Sequence, residues 1–236
     1  MLDQSFAPQR QTTTDRIEQQ LRADITAGRL PPGAKLGFEM LKKRYGVGVS
    51  PLREALQRLV SERLVIGEGH VGFRVAPLSI EELHDINNLR RKLAADALRD
   101  AIANGTPEWG GKLLAAAHEL RCAPLPSDPD GPEVDYWEEK HRHFHAVLLS
   151  TCRSTWLLQF CRILDDQYLR YRRIVLRQYW SSAEVRKVID REHQALVDAA
   201  LNKDADTAVS LLCAHYDSSA EGVIKEYERL LRDSKS

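Results

Sequence analysis

No stretch of this chain approaches the roughly 20 uninterrupted apolar residues that a membrane span needs, and its opening MLDQSFAPQRQTTTDR holds no apolar signal core. The expectation is a soluble, cytoplasmic protein with no membrane partner. Cysteine is scarce. Cys122, Cys152, Cys161 and Cys213 are scattered, with no close pair that reads as a zinc ribbon or a redox dithiol, so reduced structural thiols are expected. The metalloprotease signature His-Glu-x-x-His is missing as well. Net charge is also lacking: 34 Lys+Arg stand against 34 Asp+Glu in 236 residues. A neutral chain is, on its face, a poor partner for nucleic acid. What remains is ordinary globular composition, long enough for one large domain or two smaller ones.

The neutrality dissolves when the chain is cut. Residues 1–78 carry 12 Lys+Arg and 8 Asp+Glu, a net of +4, and residues 79–236 carry 22 and 26, a net of −4. The excess is local, since Lys35, Lys42, Lys43, Arg44, Arg53, Arg58 and Arg63 outnumber Glu39, Glu54 and Glu62. Such a split suits a basic module that meets a polyanion joined to an acidic module with another task. A solvated charged face would give the same count.

Pattern changes support the cut. Residues 1–11 are polar and aperiodic, and are expected to form a disordered tail. Ile17, Leu21 and Ile25 recur every fourth residue, which predicts a helix from about Thr14 to Ala27. A second helix is predicted over Glu39–Tyr45. A third begins with Ser50 as N-cap and Pro51 at the first helical position, and buries Leu52, Leu56 and Leu59. Leu64–Ile66 and Phe73–Ala76 read as short strands around a glycine-rich tip. Three helices and a hairpin, with Gly46 and Gly48 at the helix junction, are the order of a winged helix-turn-helix over residues 12–78. Residues 79–236 then read as an all-α bundle. Ser79-x-x-Glu82 is a capping box that opens a long helix. Helical patterns follow at about 108–121, 135–150, 154–179, 183–202 and 204–232, with a proline-rich loop over Arg121–Asp135. The fold class is mainly α, with six or more helices in the second module enclosing a cavity for ligand or metal.

Ile25-Thr-Ala-Gly-Arg-Leu-Pro-Pro-Gly-Ala-Lys-Leu36, followed by Gly46-Val-Gly-Val-Ser-Pro-Leu-Arg-Glu-Ala-Leu-Gln-Arg-Leu59, resembles the DNA-binding domain of GntR-family bacterial transcription regulators. The resemblance implies a winged helix that reads double-stranded DNA in sequence-specific fashion. Ser50 and Arg53 would lie in the first turn of the recognition helix, and the Arg53 fork matches guanine O6 and N7 together. A surface ion pair is the other reading of Arg53. Lys42, Lys43, Arg44 and Arg58 would meet phosphates. Gly69, His70 and Gly72 would form the wing tip at the minor groove, although the glycines equally fit a tight turn. Val49 and Glu39 stand where the family has frequent contact arginines, so the operator is not inherited from the family pattern.

His141 and His145 are one helical turn apart, a spacing that suits a divalent chelate as well as it suits a polar pair. Phe144-His145, Glu192-His193 and His215 resemble the all-helical effector domain of the fatty-acid-regulator branch of that family, in many members of which three histidines and an aspartate hold one metal ion. The aspartate falls at His141 here, so the resemblance implies a four-histidine site of His141, His145, His193 and His215. Imidazole ligands suit zinc, with nickel the second choice. His143 should face solvent, while His84 and His118 read as structural. Arg90, Arg170 and Arg172 are candidates to clamp an effector carboxylate, or else exposed ion-pairing residues. The histidine exchange and the Arg-Tyr-Arg run resemble those members of the branch that repress carbon-starvation and glutarate-utilisation genes, which implies a C4–C6 dicarboxylate such as glutarate.

The expected function is therefore a ligand-responsive repressor, a homodimer on a pseudo-palindromic operator. The competing reading is a metal-dependent hydrolase with Glu192 as base. No second acid or nucleophile is spaced to join the histidines, so the expectation is that the chain is not an enzyme. A metal that is purely structural remains a third reading.

Overall fold

A computed structural model describes residues 12–69, 72–124, 131–179 and 183–233. The chain divides between Leu78 and Ser79 into two compact units, each with its own apolar core. The tail 1–11, His70 at the wing tip and residues 125–130 of the proline-rich loop lie outside the described residues.

The first unit is a winged helix-turn-helix: α1 (Thr13–Thr26), α2 (Phe38–Tyr45), α3 (Val49–Ser61), β1 (Val65–Gly67) and β2 (Phe73–Val75). Helix α1 starts at a full capping box, in which the Thr12 hydroxyl accepts from Asp15 N (3.1 Å) and Asp15 Oδ2 accepts from Thr12 N (2.9 Å). Its four-residue repeat Ile17, Leu21 and Ile25 is buried with Leu52, Leu56 and Leu59 of α3 in one core. Each such leucine is worth about 1.5–3 kcal/mol of burial. Helix α2 ends where Gly46 turns left-handed (φ 67°), its N–H bonded to Lys42 O at 2.9 Å. That conformation is cheap only without a Cβ, and it makes the turn to α3 short.

Helix α3 begins earlier than the sequence suggests. Gly48, not Ser50, occupies the N-cap in extended conformation (φ −73°, ψ 173°), and no side chain caps it. Ser50 and Pro51 are thus inside the first turn, where backbone N–H groups have no intrahelical partner and a proline costs no hydrogen bond. The strands pair antiparallel with Val65 opposite Val75 and Gly67 opposite Phe73, and Lys35 bridges to Arg74. Leu36 N donates to Phe73 O (2.8 Å), tying the wing to the segment that leads into α2.

The second unit packs six helices among the described residues: α4 (Ile80–Asn104), α5 (Pro107–Cys122), α6 (Pro132–Leu148), α7 (Thr155–Tyr179), α8 (Ala183–Leu201) and α9 (Ala205–Asp233). The predicted loop 121–135 is shorter than expected, because α5 runs through Cys122 and Pro132 opens α6 at its first position. The predicted capping box of α4 is half formed. Ser79 accepts from Glu82 N (3.0 Å), but the Glu82 carboxylate turns away to the Tyr171 hydroxyl. The core is built from Leu98, Leu113, Trp137, Phe144, Leu148, Leu196 and Leu212, among others. Arg186 of α8 donates to the last carbonyls of α5, Leu120 O (2.8 Å), Arg121 O (2.9 Å) and Ala123 O (3.3 Å), satisfying acceptors that the end of a helix leaves open.

Candidate nucleic-acid interface and metal centre

On the first unit, the basic residues divide by what they touch. Arg53 and Ser50 are exposed at the start of α3, and the Arg53 guanidinium lies over the Phe38 ring, 4.9 Å from its centroid. Lys43 is exposed on α2. Lys42 pairs with Glu39 at 3.0 Å, one turn away. Arg44 is tied to Asp24 of α1 (2.8 Å), where Arg29 and Tyr45 also converge. Burial alone would raise the Asp24 carboxyl, but hydrogen bonds from Arg29, Tyr45 and Arg44 outweigh it and hold the group below its ordinary value. Arg58 is held by Asp15 (2.8 Å), Glu54 (2.8 Å) and Glu18 (3.3 Å), three acids from α1 and α3. Arg44 and Arg58 thus staple helices together. Periodicity could not reveal this, because their partners on α1 lie 20 to 43 residues away in sequence. Gly69 and Gly72 take positive φ (51° and 116°), with Glu68 N bonded to Gly72 O at 2.8 Å across the wing tip.

In the second unit, α6, α8 and α9 bring His141, His145, His193 and His215 together. All four are buried, and one ring nitrogen from each lies within 4.8 Å of the others. His141 Nε2 and His145 Nε2 stand 3.2 Å apart. Burial pushes His141, His145 and His193 well below the usual imidazole range, and repulsion among the rings together with the Arg172 guanidinium acts in the same direction. The three rings are therefore neutral near neutral pH, as metal ligands must be. Neither nitrogen of His193, nor Nδ1 of His145, has a hydrogen-bond partner among the described residues. Leaving a buried polar group unmatched costs about 1–3 kcal/mol. The orphaned nitrogens of His193, in a group whose ring nitrogens converge within 4.8 Å, fit a metal ion.

The surroundings differ from ring to ring. Glu192 Oε2 accepts from His215 Nδ1 at 2.7 Å, which leaves Nε2 with its lone pair, the usual support for a ligating histidine. His141 has the opposite neighbour: Arg172 Nη1 lies 3.3 Å from its Nδ1, and a guanidinium can only donate. Trp137 stacks on His141 with centroids 4.7 Å apart. As expected for its helix face, His143 is exposed; His84 and His118, read from sequence as structural, are exposed too.

The three candidate effector arginines do not act alike. Arg90 is buried between the rings of Tyr168 and Tyr216, at 3.9 and 4.1 Å, with Nε on Asp165 (2.8 Å). Arg172 reaches both His141 and Glu138, the latter through a short hydrogen bond. Arg170 turns elsewhere: its Nη1 donates to Gln167 Oε1 (2.6 Å), and its charge acts on Tyr171 and Glu82. Positions i and i+2 of a helix point about 200° apart, so Arg170 and Arg172 cannot share a face. Arg90 Nη1, Arg172 Nε, Glu138 Oε1 and Asn87 Oδ1 are buried without partners among the described residues. Sequence reasoning missed Glu138 and Trp137, although both lie within about one turn of His141 on α6.

Comparison with known proteins agrees with both units. Residues 13–75 match the model of bacterial regulatory proteins of the gntR family, and residues 85–218 match the FCD domain. The HTH-type transcriptional repressor GlaR of Escherichia coli strain K12 is 39% identical over 195 residues, spanning 83% of this chain and 88% of its own. An uncharacterized HTH-type regulator, BphR of Paraburkholderia xenovorans LB400, is 37% identical over 210 residues, spanning 89% and 84%. Among solved structures, Escherichia coli McbR/YncC shares the fold with a TM-score of 0.75 at 23% identity, over 92% of this chain and 99% of that one.

A DNA-binding head joined to an all-helical FCD unit defines a transcription regulator. The chain belongs to the GntR family and carries an FCD domain. It is a DNA-binding regulator and not an enzyme, as are the relatives and both matched families. Regulators of this family bind DNA and usually act as dimers. Among the described residues no helix is long and apolar enough to cross a membrane.

Proposed function

We propose that this regulator is a repressor that releases its operator when a small carboxylate, of the C4–C6 dicarboxylate class to which glutarate belongs, binds beside a divalent metal ion in the second unit. The observation that carries the reading is the buried four-histidine cluster adjoined by Arg90 and Arg172, with orphaned polar atoms on both sides. His145, His193 and His215 would hold zinc, or nickel, with His141 the fourth ligand. Four neutral imidazoles leave the ion its full charge, and the metal supplies a Lewis-acidic centre that favours an anionic ligand. Arg90 and Arg172 would fix the carboxylate. Arg90 is preset by its tyrosine sandwich, and Arg172 by its simultaneous contacts with Glu138 and His141.

In the first unit, Arg53 and Ser50 would read base edges, and Lys42 and Lys43 would meet phosphates. Arg44 and Arg58 could add phosphate contacts with the faces their acid partners leave open, and Gly69, His70 and Gly72 would carry the wing. A homodimer would present two heads to a pseudo-palindrome. The repressor named among its relatives supports the sign of regulation. The ligand changes DNA affinity only through its differential affinity for the two states.

The test is direct. Purified protein is assayed for bound metal by elemental analysis and titrated with glutarate by calorimetry, and its retention of a duplex selected from a random library is followed with and without glutarate. Expected are one ion per chain, metal-dependent heat and release of DNA. Tight DNA binding that ignores glutarate in metal-loaded protein would reject the effector class, and chains free of metal after zinc or nickel loading would reject the metal.

A further inference from the structure

Arg53 has an unusual neighbour for a residue expected to touch DNA. Its guanidinium sits 4.9 Å over the Phe38 ring, and the acids nearest in sequence are occupied. Glu54 accepts from Arg58 (2.8 Å) and Thr14 (3.1 Å), and Glu39 pairs with Lys42 (3.0 Å). Among the described residues no acid pairs with Arg53. Phe38 is the first residue of α2, half-buried against the core, and its ring meets that of Phe73 edge-on, with centroids 6.1 Å apart and planes at 85°. Phe73 is buried and opens β2, the strand that returns from the wing tip.

We propose that Phe38 is a positioning residue for sequence readout. It holds the Arg53 guanidinium by its π face, leaves every N–H of the fork uncommitted, and couples that fork through Phe73 to the wing. A carboxylate in the same place would also restrain the arginine, but it would occupy the donors that a guanine edge requires and would repel the phosphates around it. A ring face restrains without competing, because it attracts the cation through its quadrupole and accepts no conventional hydrogen bond. Restricting a long side chain before binding lowers the ordering cost at the moment of contact. The edge contact with Phe73 places recognition helix and wing on one aromatic pair, so a displacement of the hairpin is felt at Arg53. This inference rests on the reading of Arg53 as a base-contacting residue and adds what sets its direction.

The experiment uses the full-length protein and two probes: a duplex selected from a random library by the wild type, and a scrambled duplex of the same composition. Phe38→Leu keeps apolar bulk and removes the ring, Phe38→Trp keeps a ring, and Arg53→Ala removes the fork. Thermal unfolding shows which variants are folded. Expected for Phe38→Leu is a loss of about two- to fivefold for the selected duplex, with unchanged affinity for the scrambled one. Phe38→Trp should match the wild type. Repeating the selection with Phe38→Leu should weaken preference at the base position that Arg53→Ala erases, a signature that a general loss of stability would not produce. If Phe38→Leu keeps wild-type preference while Arg53→Ala loses it, the positioning role is overturned and the reading of Arg53 stands. If Arg53→Ala leaves the selected sequence unchanged, that reading falls first. If Phe38→Leu does not fold, a loss of the same base preference in Phe38→Trp overturns the proposal, and its retention supports it.

Discussion

The Tyr171 hydroxyl donates to Glu82 Oε2 at 2.5 Å and accepts from Ser79 N at 3.3 Å, so a side chain from α7 completes the N-terminus of α4 across about ninety residues of sequence. Burial, with the Glu82 carboxylate beside it, pushes the phenol above its usual range, so it stays a neutral donor throughout the working pH. Tyr171→Phe leaves the cap N–H and the carboxylate without that partner. We expect a loss of about 1–3 kcal/mol, read as a lower urea midpoint with unchanged slope. The double variant Tyr171→Phe with Glu82→Gln should lose less than the sum of the two single changes, because each removes the same hydrogen bond.

Acid sensitivity of the head should centre on Asp15. The Thr12 backbone N–H and hydroxyl, with the Arg58 guanidinium, hold its carboxyl at about 2 rather than the usual 3.8. A folded-state value below the unfolded one means that the group stabilises fully above about pH 4 and ceases to do so as pH falls through about 2. Asp15→Asn should therefore melt lower than wild type at neutral pH, and the two melting curves should converge on acidification.

Metal affinity should depend unequally on the four histidines. His193 and His215 are expected to be indispensable, and Glu192→Gln should weaken binding about 10- to 100-fold through the orientation of His215. His141→Ala should cost least, because the guanidinium at its Nδ1 favours a proton on the nitrogen that faces His145. Competition titrations with a chromophoric chelator check the order. Chelation should also lower the melting temperature, since an ion bound only by the folded chain stabilises it by mass action.

Lys43 and Arg58 should separate affinity from architecture. Lys43→Ala should weaken all DNA sequences alike and lower the slope of log affinity against log salt by about 0.9. Arg58→Ala releases three acids and should lower the melting temperature before it changes the salt slope.

The parts of this molecule that were legible in the sequence are those set by local rules. The Ile17, Leu21, Ile25 repeat made its helix and Gly46 made the turn, because periodicity and a positive φ act within a few residues. The histidines were half legible: the one-turn spacing of His141 and His145 is visible on its own, whereas His193 and His215 joined them only through resemblance. Ser50 misled because serine is a common cap, yet Gly48 adopts the extended backbone with no side chain to restrain. Contacts made by folding left no trace, and so Arg44 and Arg58 read as free cations while Glu138 went unnoticed. The opposite directions of Arg170 and Arg172 were legible as well, since residues two apart on a helix point about 200° apart.

The three carbonyls gripped by Arg186 tie α8 to the end of α5. Arg186 is seven residues, two helical turns, before His193 on the same rigid rod. A ligand that drew His193 inward would pull on Leu120, Arg121 and Ala123 as well, or break bonds made by a buried cation. The far end of α5 is therefore where binding at the histidines would register within the second unit, as a change in how readily its last turn opens to solvent.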